Sequence, residues 1–155
     1  MESKIEVQSG GEEMLGHIEE MWGSLTQHAA HRSKHFSAHF ATRTFEQRCK
    51  ELNTKAATGR LRISIARDAY SERDLGYCIC SIGPDGQGEV ESLYVAELSR
   101  GRGVGDTLLT DAISWMEGNG ANSVSVFTVY GSEEVLPFYA KHGFLPKMVM
   151  LERKK

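Results

Sequence analysis

The chain lacks the marks of several large protein classes. It has three cysteines, an odd number. Two of them, Cys78 and Cys80, are too close in sequence for a disulfide of ordinary geometry. A disulfide scaffold is therefore excluded, and a reducing, cytoplasmic setting is expected. No run approaches the ~18 apolar residues of a membrane span, so no membrane partner is expected. The opening residues, Met1-Glu2-Ser3-Lys4-Ile5-Glu6, carry no apolar stretch of the secretory type. Positive charge is not in excess: the formal net charge is −3, which argues against a nucleic-acid binder. Repeats, low-complexity tracts and interdomain linkers are missing too.

What is present fits a globular domain. At 155 residues the length matches about one domain, and such a domain buries roughly 70% of the surface its unfolded chain exposes. No disulfide or metal staple is needed, and residues 1–155 are expected to form a single domain. Hydrophobic residues at 40% and charged residues at 25% exclude disorder, collagen and coiled coil as whole-chain answers. Charge is laid out in blocks: net −5 over residues 1–30, +6 over 31–62, −8 over 63–140 and +4 over 141–155. The plain reading is solvated surface. The functional reading is an acidic face that draws a cationic substrate, with basic groups elsewhere for an anionic cofactor.

Periodicity assigns the elements. Lys4 to Gln8 alternates as a short first strand, broken by Ser9-Gly10-Gly11. Met14, Leu15, Ile18, Met21, Trp22 and Leu25 recur at helical spacing. A second helical stretch carries Phe36, Phe40, Phe45, Cys49 and Leu52 and fades near Thr58-Gly59. From Leu61 the period becomes two, and residues 61–95 read as an antiparallel three-strand meander with turns at Ser71–Asp74 and Gly83–Gly86. A helix bearing Val104, Leu108, Leu109, Ala112, Ile113 and Met116 follows and ends at Gly118-Asn119-Gly120. Ser123 to Val129 is a strand that can lie parallel to Glu89–Val95, because a helix intervenes. Glu133 to His142 is a short helix, with Pro137 tolerable near its first turn. Lys147 to Glu152 is a last strand. The expected fold is α/β (α+β): a mixed, mostly antiparallel sheet of about six strands with helices on both faces.

One loop carries chemistry. Arg100-Gly101-Arg102-Gly103-Val104-Gly105 joins a strand end to a helix start. Unpaired N–H groups and a positive dipole end meet there, glycines allow close approach, and two arginines add charge. The loop predicts a pyrophosphate cradle, although an ordinary tight turn has the same composition. It is not a P-loop, because no Gly-Lys-Ser/Thr follows. Asp106 would repel a phosphate if it pointed inward and is expected to face solvent.

The run Glu89-Val90-Glu91-Ser92-Leu93-Tyr94-Val95, the Arg100–Gly105 loop and Leu108-Leu109 together resemble the acetyl-CoA motif of the GNAT N-acetyltransferases. Pro137-Phe138-Tyr139-Ala140-Lys141-His142-Gly143-Phe144 resembles that family's Phe-Tyr-x-x-x-Gly-Phe segment. The resemblance covers residues 88–144 well and, upstream, only the order of elements. It implies transfer of an acetyl group from acetyl-CoA, as co-substrate and without a metal, directly to a primary amine in a ternary complex. It implies that acetyl-CoA binds where strands Glu89–Val95 and Ser123–Val129 splay apart. Backbone groups of Leu93, Tyr94 and Val95 would hold the pantetheine arm, and amides of Arg100, Gly101, Arg102, Gly103, Val104 and Gly105 the pyrophosphate.

The chemistry requires a base for the ammonium, a donor for the tetrahedral oxyanion and a proton for the departing thiolate. Glu89 and Glu91, two apart on one strand and so about 7 Å apart on one side, are both candidates for the base. Both are equally readable as surface carboxylates. Tyr139 matches the family's general acid, or else simply packs the short helix. The chain departs from the pattern at Ser132, where many relatives carry Asn; its hydroxyl can cap a helix or bond the CoA arm. Only one strand follows Phe144, where the family commonly has two. The acceptor wall is then either reduced or supplied by a second subunit, and a homodimer is compatible with that.

The remaining residues of interest have plainer readings. His17, His28, His31, His35 and His39 would share one stripe of a continuous helix, with i,i+4 spacings a metal can use. No Cys or carboxylate lies in 27–44, and surface or packing roles are expected. Cys78 and Cys80 read as a buried strand face. Trp22, Phe36, Phe40 and Phe45 read as core; Trp22 and Phe36 are also the candidates for acceptor contact. The acceptor is a small amine or, alternatively, a peptide amine, and a non-catalytic CoA-sensing module is the rival without turnover.

Overall fold

A computed structural model describes residues 4–155; Met1 to Ser3, part of the stretch read for a secretory signal, lie outside the described residues. The elements run β1 (Ile5–Gly10), a 3-10 segment (Glu12–Ile18) leading into α1 (Glu19–Arg32), α2 (Ser37–Ala41), α3 (Phe45–Thr58), β2 (Arg60–Asp68), β3 (Asp74–Ile82) and β4 (Gln87–Val95). Then come α4 (Val104–Gly118), β5 (Ser123–Val126) and α5 (Leu136–Lys141). The sheet has five strands in the order β1-β2-β3-β4-β5. All neighbours are antiparallel except β4 and β5. Among the described residues no helix is long and apolar enough to cross a membrane.

Alternation splits the core into two layers. Leu61, Ile63 and Ile65 of β2 and Tyr77 and Ile79 of β3 face Leu15, Ile18, Trp22 and Leu52 from the N-terminal helices. Cys78 and Cys80 of β3 and Val90 of β4 face Val104, Leu108, Leu109, Ala112 and Met116 of α4. Strand β3 is therefore buried on both sides, as expected of a central strand. Burial pushes both of its thiols up, Cys80 to about 12. Neither is a thiolate at neutral pH, so neither is a nucleophile.

Several sequence expectations are corrected. The first strand runs through Ser9 to Gly10, held by pairs such as Gly10 with Ile63. The second helical stretch is two helices. A capping box, in which Thr44 Oγ1 accepts from Gln47 N and Gln47 Oε1 from Thr44 N, starts α3 afresh. The five histidines do not share one stripe, because α1 ends at Arg32 and Ser33 Oγ caps Phe36 N at 3.0 Å. Strand β5 stops at Val126 instead of Val129. The segment 133–142 begins as a 3-10 turn, Glu133–Val135, and becomes α-helical at Leu136, where Pro137 is tolerated. The sheet has five strands and not six, because Lys147–Glu152 is not a strand. A strand exists by pairing, and no backbone group of 145–155 bonds to a described residue.

Leu108 is fully buried between α4 and the sheet. Leu108→Ala is expected to lower stability by about 2–5 kcal/mol, read as a reduced urea midpoint with an unchanged m-value.

Candidate functional site

The site is built on an irregularity in β4. Ile79 pairs with Ser92 but Cys80 pairs with Val90, so Glu91 is an extra residue without a partner on β3. This bulge turns Glu91 and Ser92 to the same face. Ser92 Oγ lies 2.8 Å from the Tyr77 hydroxyl. The parallel pairing of β4 with β5 ends one step earlier, at Val90 with Val126. From Glu91 to Val95 the outer edge of β4, including Leu93, Tyr94 and Val95, has no strand beside it. The two parallel strands part at the bulge.

Glu89 and Glu91 face the α3 layer, and the structure treats them differently. The Glu91 side chain is 1% exposed. Its Oε2 accepts from Ser81 Oγ at 2.6 Å and from Lys55 Nζ, and its Oε1 from Arg48 Nη2 at 3.2 Å. Arg48 Nη2 also bonds the Glu91 carbonyl at 3.0 Å, fixing the bulge itself. Burial alone would raise this carboxyl, but the Lys55 and Ser81 bonds and the two cations outweigh it and hold it below the usual carboxylate range. Glu89, 30% exposed, has one ion pair, to Lys55 at 3.6 Å. Desolvation, reinforced by the neighbouring Glu91 charge, lifts its pKa above the ordinary value. Glu91 is thus a buried, ion-paired carboxylate, and Glu89 is the more accessible of the two, with its pKa raised. Arg48, Lys55 and Ser81 escaped the sequence reading. Arg48 and Lys55 are seven apart, two turns on one face of α3, and two basic groups at that spacing opposite two strand carboxylates were the available clue.

Beyond β4 the loop has the shape expected of a cradle. Gly101 and Gly103 have φ of 83° and 79°, values an L side chain adopts only with strain. The N–H groups of Gly101, Gly103, Val104, Gly105 and Asp106 donate to no described residue, and the first turn of α4 begins among them. Five amides without an acceptor at a helix N-terminus suit a pyrophosphate. Arg100 is exposed. Arg102 Nη2 reaches Asp68 Oδ2 at 3.1 Å, and backbone N–H groups of Ser71 and Tyr70 help hold Asp68 at a pKa of about 2. Asp106 does not face solvent freely. It bonds His142 Nε2 at 2.8 Å and pairs with Lys141 at 3.3 Å, tying α4 to α5 away from the loop. A Cβ on Gly105 would sit 3.1 Å from the Phe138 ring, so the missing side chain sets how closely these helices approach.

Tyr139 lies on the α4 side of the sheet, against the rings of Phe138 and Phe144 at 5.2 and 5.8 Å. Burial pushes its phenol pKa well up, with a small contribution from Cys78, and its hydroxyl has no hydrogen-bond partner among the described residues. Glu89 and Tyr139 are therefore on opposite faces of the sheet. Ser132 is buried; its N–H donates to Val129 at 2.9 Å and its side chain makes no cap bond. Trp22 is mostly core, its ring 5.4 Å from Phe45, with one edge on a groove of about 420 Å³ shared with Thr26, Gln27 and Arg43. Phe36 lines a separate hollow with His35, His39 and Lys154. The structure does not bring either aromatic to Glu89. Two histidines brace the loop after β5: His28 reaches Glu134 at 3.7 Å and His35 stacks on Tyr130. No cluster of three or more potential metal ligands occurs among the described residues.

Comparison with known proteins agrees with this geometry. The family model described as acetyltransferase (GNAT) family matches residues 30–144. No curated protein sequence is significantly similar. Among solved structures, a GCN5-related N-acetyltransferase from Ralstonia eutropha JMP134 superposes with a TM-score of 0.75 at 17% identity, covering 97% of this chain and 99% of that one. An aminoglycoside N-acetyltransferase in complex with CoA gives 0.68 at 16% identity, covering 100% and 97%. Glucosamine-6-phosphate N-acetyltransferase from Arabidopsis thaliana gives 0.65 at 17% identity, covering 97% and 98%.

Glu91→Gln leaves Arg48 and Lys55 facing a neutral group, and the expected loss is about 3 kcal/mol or more, measured by urea unfolding at pH 7. The Glu91 pKa is depressed on folding, so its contribution is complete above the unfolded value of about 4.3 and is lost as pH falls through the lower folded value. The stability gap between wild type and variant should close on acidification below about pH 4.

Proposed function

The chain belongs to the GNAT acetyltransferase family, and from that premise we propose that residues 1–155 act as one domain transferring acetyl from acetyl-CoA directly to a primary amine. The observation that carries this reading is the open β4 edge over Glu91 to Val95, which begins two residues beyond the accessible carboxylate Glu89 and leads to five unsatisfied amides at the start of α4. Those amides and Arg100 hold the pyrophosphate, and the edge groups of Leu93 to Val95 bond the pantetheine arm as an added strand would. Bound acetyl-CoA supplies the activated thioester carbonyl.

The acceptor arrives from the α3 side as an ammonium with a pKa near that of lysine, about 10. Glu89 takes its proton directly or through one water. The freed nitrogen lone pair forms the C–N bond at the thioester carbon, and a free strand N–H at the parting of β4 and β5 stabilises the oxyanion. The C–S bond then breaks: Tyr139, kept protonated by burial, donates its proton to the leaving sulfur, the surplus proton of the acylated nitrogen passes through water to restore the phenol, and Glu89 returns its proton to solvent. Glu91, Arg48 and Lys55 hold the bulge and do not exchange protons. The acceptor class is a small cationic amine. One similar fold is named an aminoglycoside N-acetyltransferase, and the net −8 of residues 63–140 favours positive charge.

Acetyl-CoA at 100 times its Kd should add about 2.7 kcal/mol, or roughly 5–10 °C in Tm for a domain of this size, with ATP giving little. CoA release against an amine panel then reads turnover; binding without turnover on any amine would favour a CoA-sensing module instead. Glu89→Gln is expected to lower kcat by about 100-fold and to remove the acidic limb of the rate profile, which in wild type lies above the ordinary carboxylate range because the pKa is raised. Tyr139→Phe should lower kcat while sparing the acetyl-CoA thermal shift. Full activity in both variants would overturn the assignments.

A further inference from the structure

Among the described residues, one cation is shared by both carboxylates of β4. Lys55 Nζ donates to Glu91 Oε2 and stands 3.6 Å from Glu89 Oε1. The Lys55 side chain is 40% exposed, against 30% for Glu89 and 1% for Glu91. Arg48 is placed differently. Its Nη2 bonds the other Glu91 oxygen and the Glu91 carbonyl, and its Nη1 reaches Glu51 at 3.0 Å. Arg48 is thus committed to the bulge, whereas Lys55 spans from the buried carboxylate to the accessible one.

Helix α3 presents Lys55 at a set height above the strand. The Thr44–Gln47 capping box fixes where the helix begins, and Leu52, one turn before Lys55, is fully buried in the core. The ammonium is therefore held over β4 by its backbone as well as by its partners.

Two carboxylates in one half-buried place do not both stay ionised without a counter-charge; one of them takes up a proton instead. The charged groups that face Glu89 are Glu91 from its own strand and Lys55 and Arg48 from α3. Its register neighbours, Ser81 on β3 and Ser125 on β5, carry no charge. Burial and then the Glu91 charge push Glu89 toward its neutral form, and the Lys55 charge is the larger of the two that oppose them.

We propose that Lys55 is the positioning residue of the base: its ammonium, shared between Glu91 and Glu89, keeps Glu89 in the ionised form that can take a proton from the acceptor. The inference rests on the reading of Glu89 as the base. Lys55 itself gives up no proton and forms no bond to the substrate. Without its charge the two carboxylates hold one proton between them at neutral pH, which is the arrangement of an acid.

A carbon-13 carboxyl titration of the full chain reads Glu89 directly and needs no turnover; the signal is assigned by its loss in Glu89→Gln. In Lys55→Met the Glu89 midpoint should rise by about 1–3 pH units, and in Lys55→Arg it should stay near wild type. The acidic limb of kcat/KM should move with the midpoint. Activity lost at neutral pH should then return on the alkaline plateau, a recovery that a purely structural lesion does not give. Glu89→Gln, run alongside, shows how much of that return comes from deprotonation of the amine itself. An unmoved Glu89 midpoint in folded Lys55→Met, or an equal rise in Lys55→Arg, would overturn the proposal. If the midpoint moves but Glu89→Gln keeps full activity, the failure lies in the base assignment, and the role of Lys55 falls with it. Should Lys55→Met not fold, Lys55→Gln, whose amide can still donate to Glu91, carries the same titration. In wild type the nitrogen-15 shift of Lys55 Nζ should step at the Glu89 midpoint, and the lack of a step would overturn the proposal without any variant.

Discussion

A carboxylate with almost no contact with water is tolerated only where cations and donors surround it. Glu91 meets that condition through Arg48, Lys55 and Ser81, and the shape of the site follows. Arg48 holds the Glu91 side chain and carbonyl together, which pins the extra residue of β4 against α3. The pinned bulge redirects β4 just where β5 ceases to pair with it. Desolvation, reinforced by the same anion, raises the pKa of Glu89. One buried ion cluster therefore opens the sheet and tunes the neighbouring acid, while itself staying closed to substrate.

The division between two similar residues two positions apart is the part of the site that sequence could not resolve. Period-two spacing correctly places Glu89 and Glu91 on one side of β4, but periodicity cannot say which carboxylate meets the cations of α3. That depends on the bulge, and a bulge changes the register without changing the composition. The meander over 61–95, helix α4 and the glycine loop were legible because each is set by local chemistry: alternation, an apolar helical face and positive-φ glycines. The N-terminal helices were less so, since the break after Arg32 depends on Ser33 capping Phe36 and the restart on Thr44 with Gln47. The last strand was misread for a different reason. The composition of 147–152 does favour a strand, but its backbone finds no pairing partner among the described residues.

The two sides of the sheet have separate duties. The helices α1 and α3 form the layer that holds Glu89 and its ion pairs, whereas α4 and α5 form the layer that holds the amide cradle and Tyr139. Glu89 and Tyr139 thus stand on opposite sides of the sheet. The loop after β5 links the layers: Lys34 N donates to Tyr130 O at 3.2 Å, and a side chain at Gly131 would strike the Arg32 carbonyl. Their relative placement is set by contacts at the end of α1 as much as by the sheet.

The bare Cα of Gly105 gives the cradle and the acid a common mechanical footing. Phe138 sits against the first turn of α4 because nothing projects there, and Tyr139 follows Phe138 in the same short helix. Asp106, bonded to His142 and Lys141, bolts the other end of that helix to the same turn. The amides of this turn and α5 therefore share one support. On the proposed reading, anchoring the diphosphate and aiming the phenol are one adjustment, because the loop and the phenol rest on the same turn of α4.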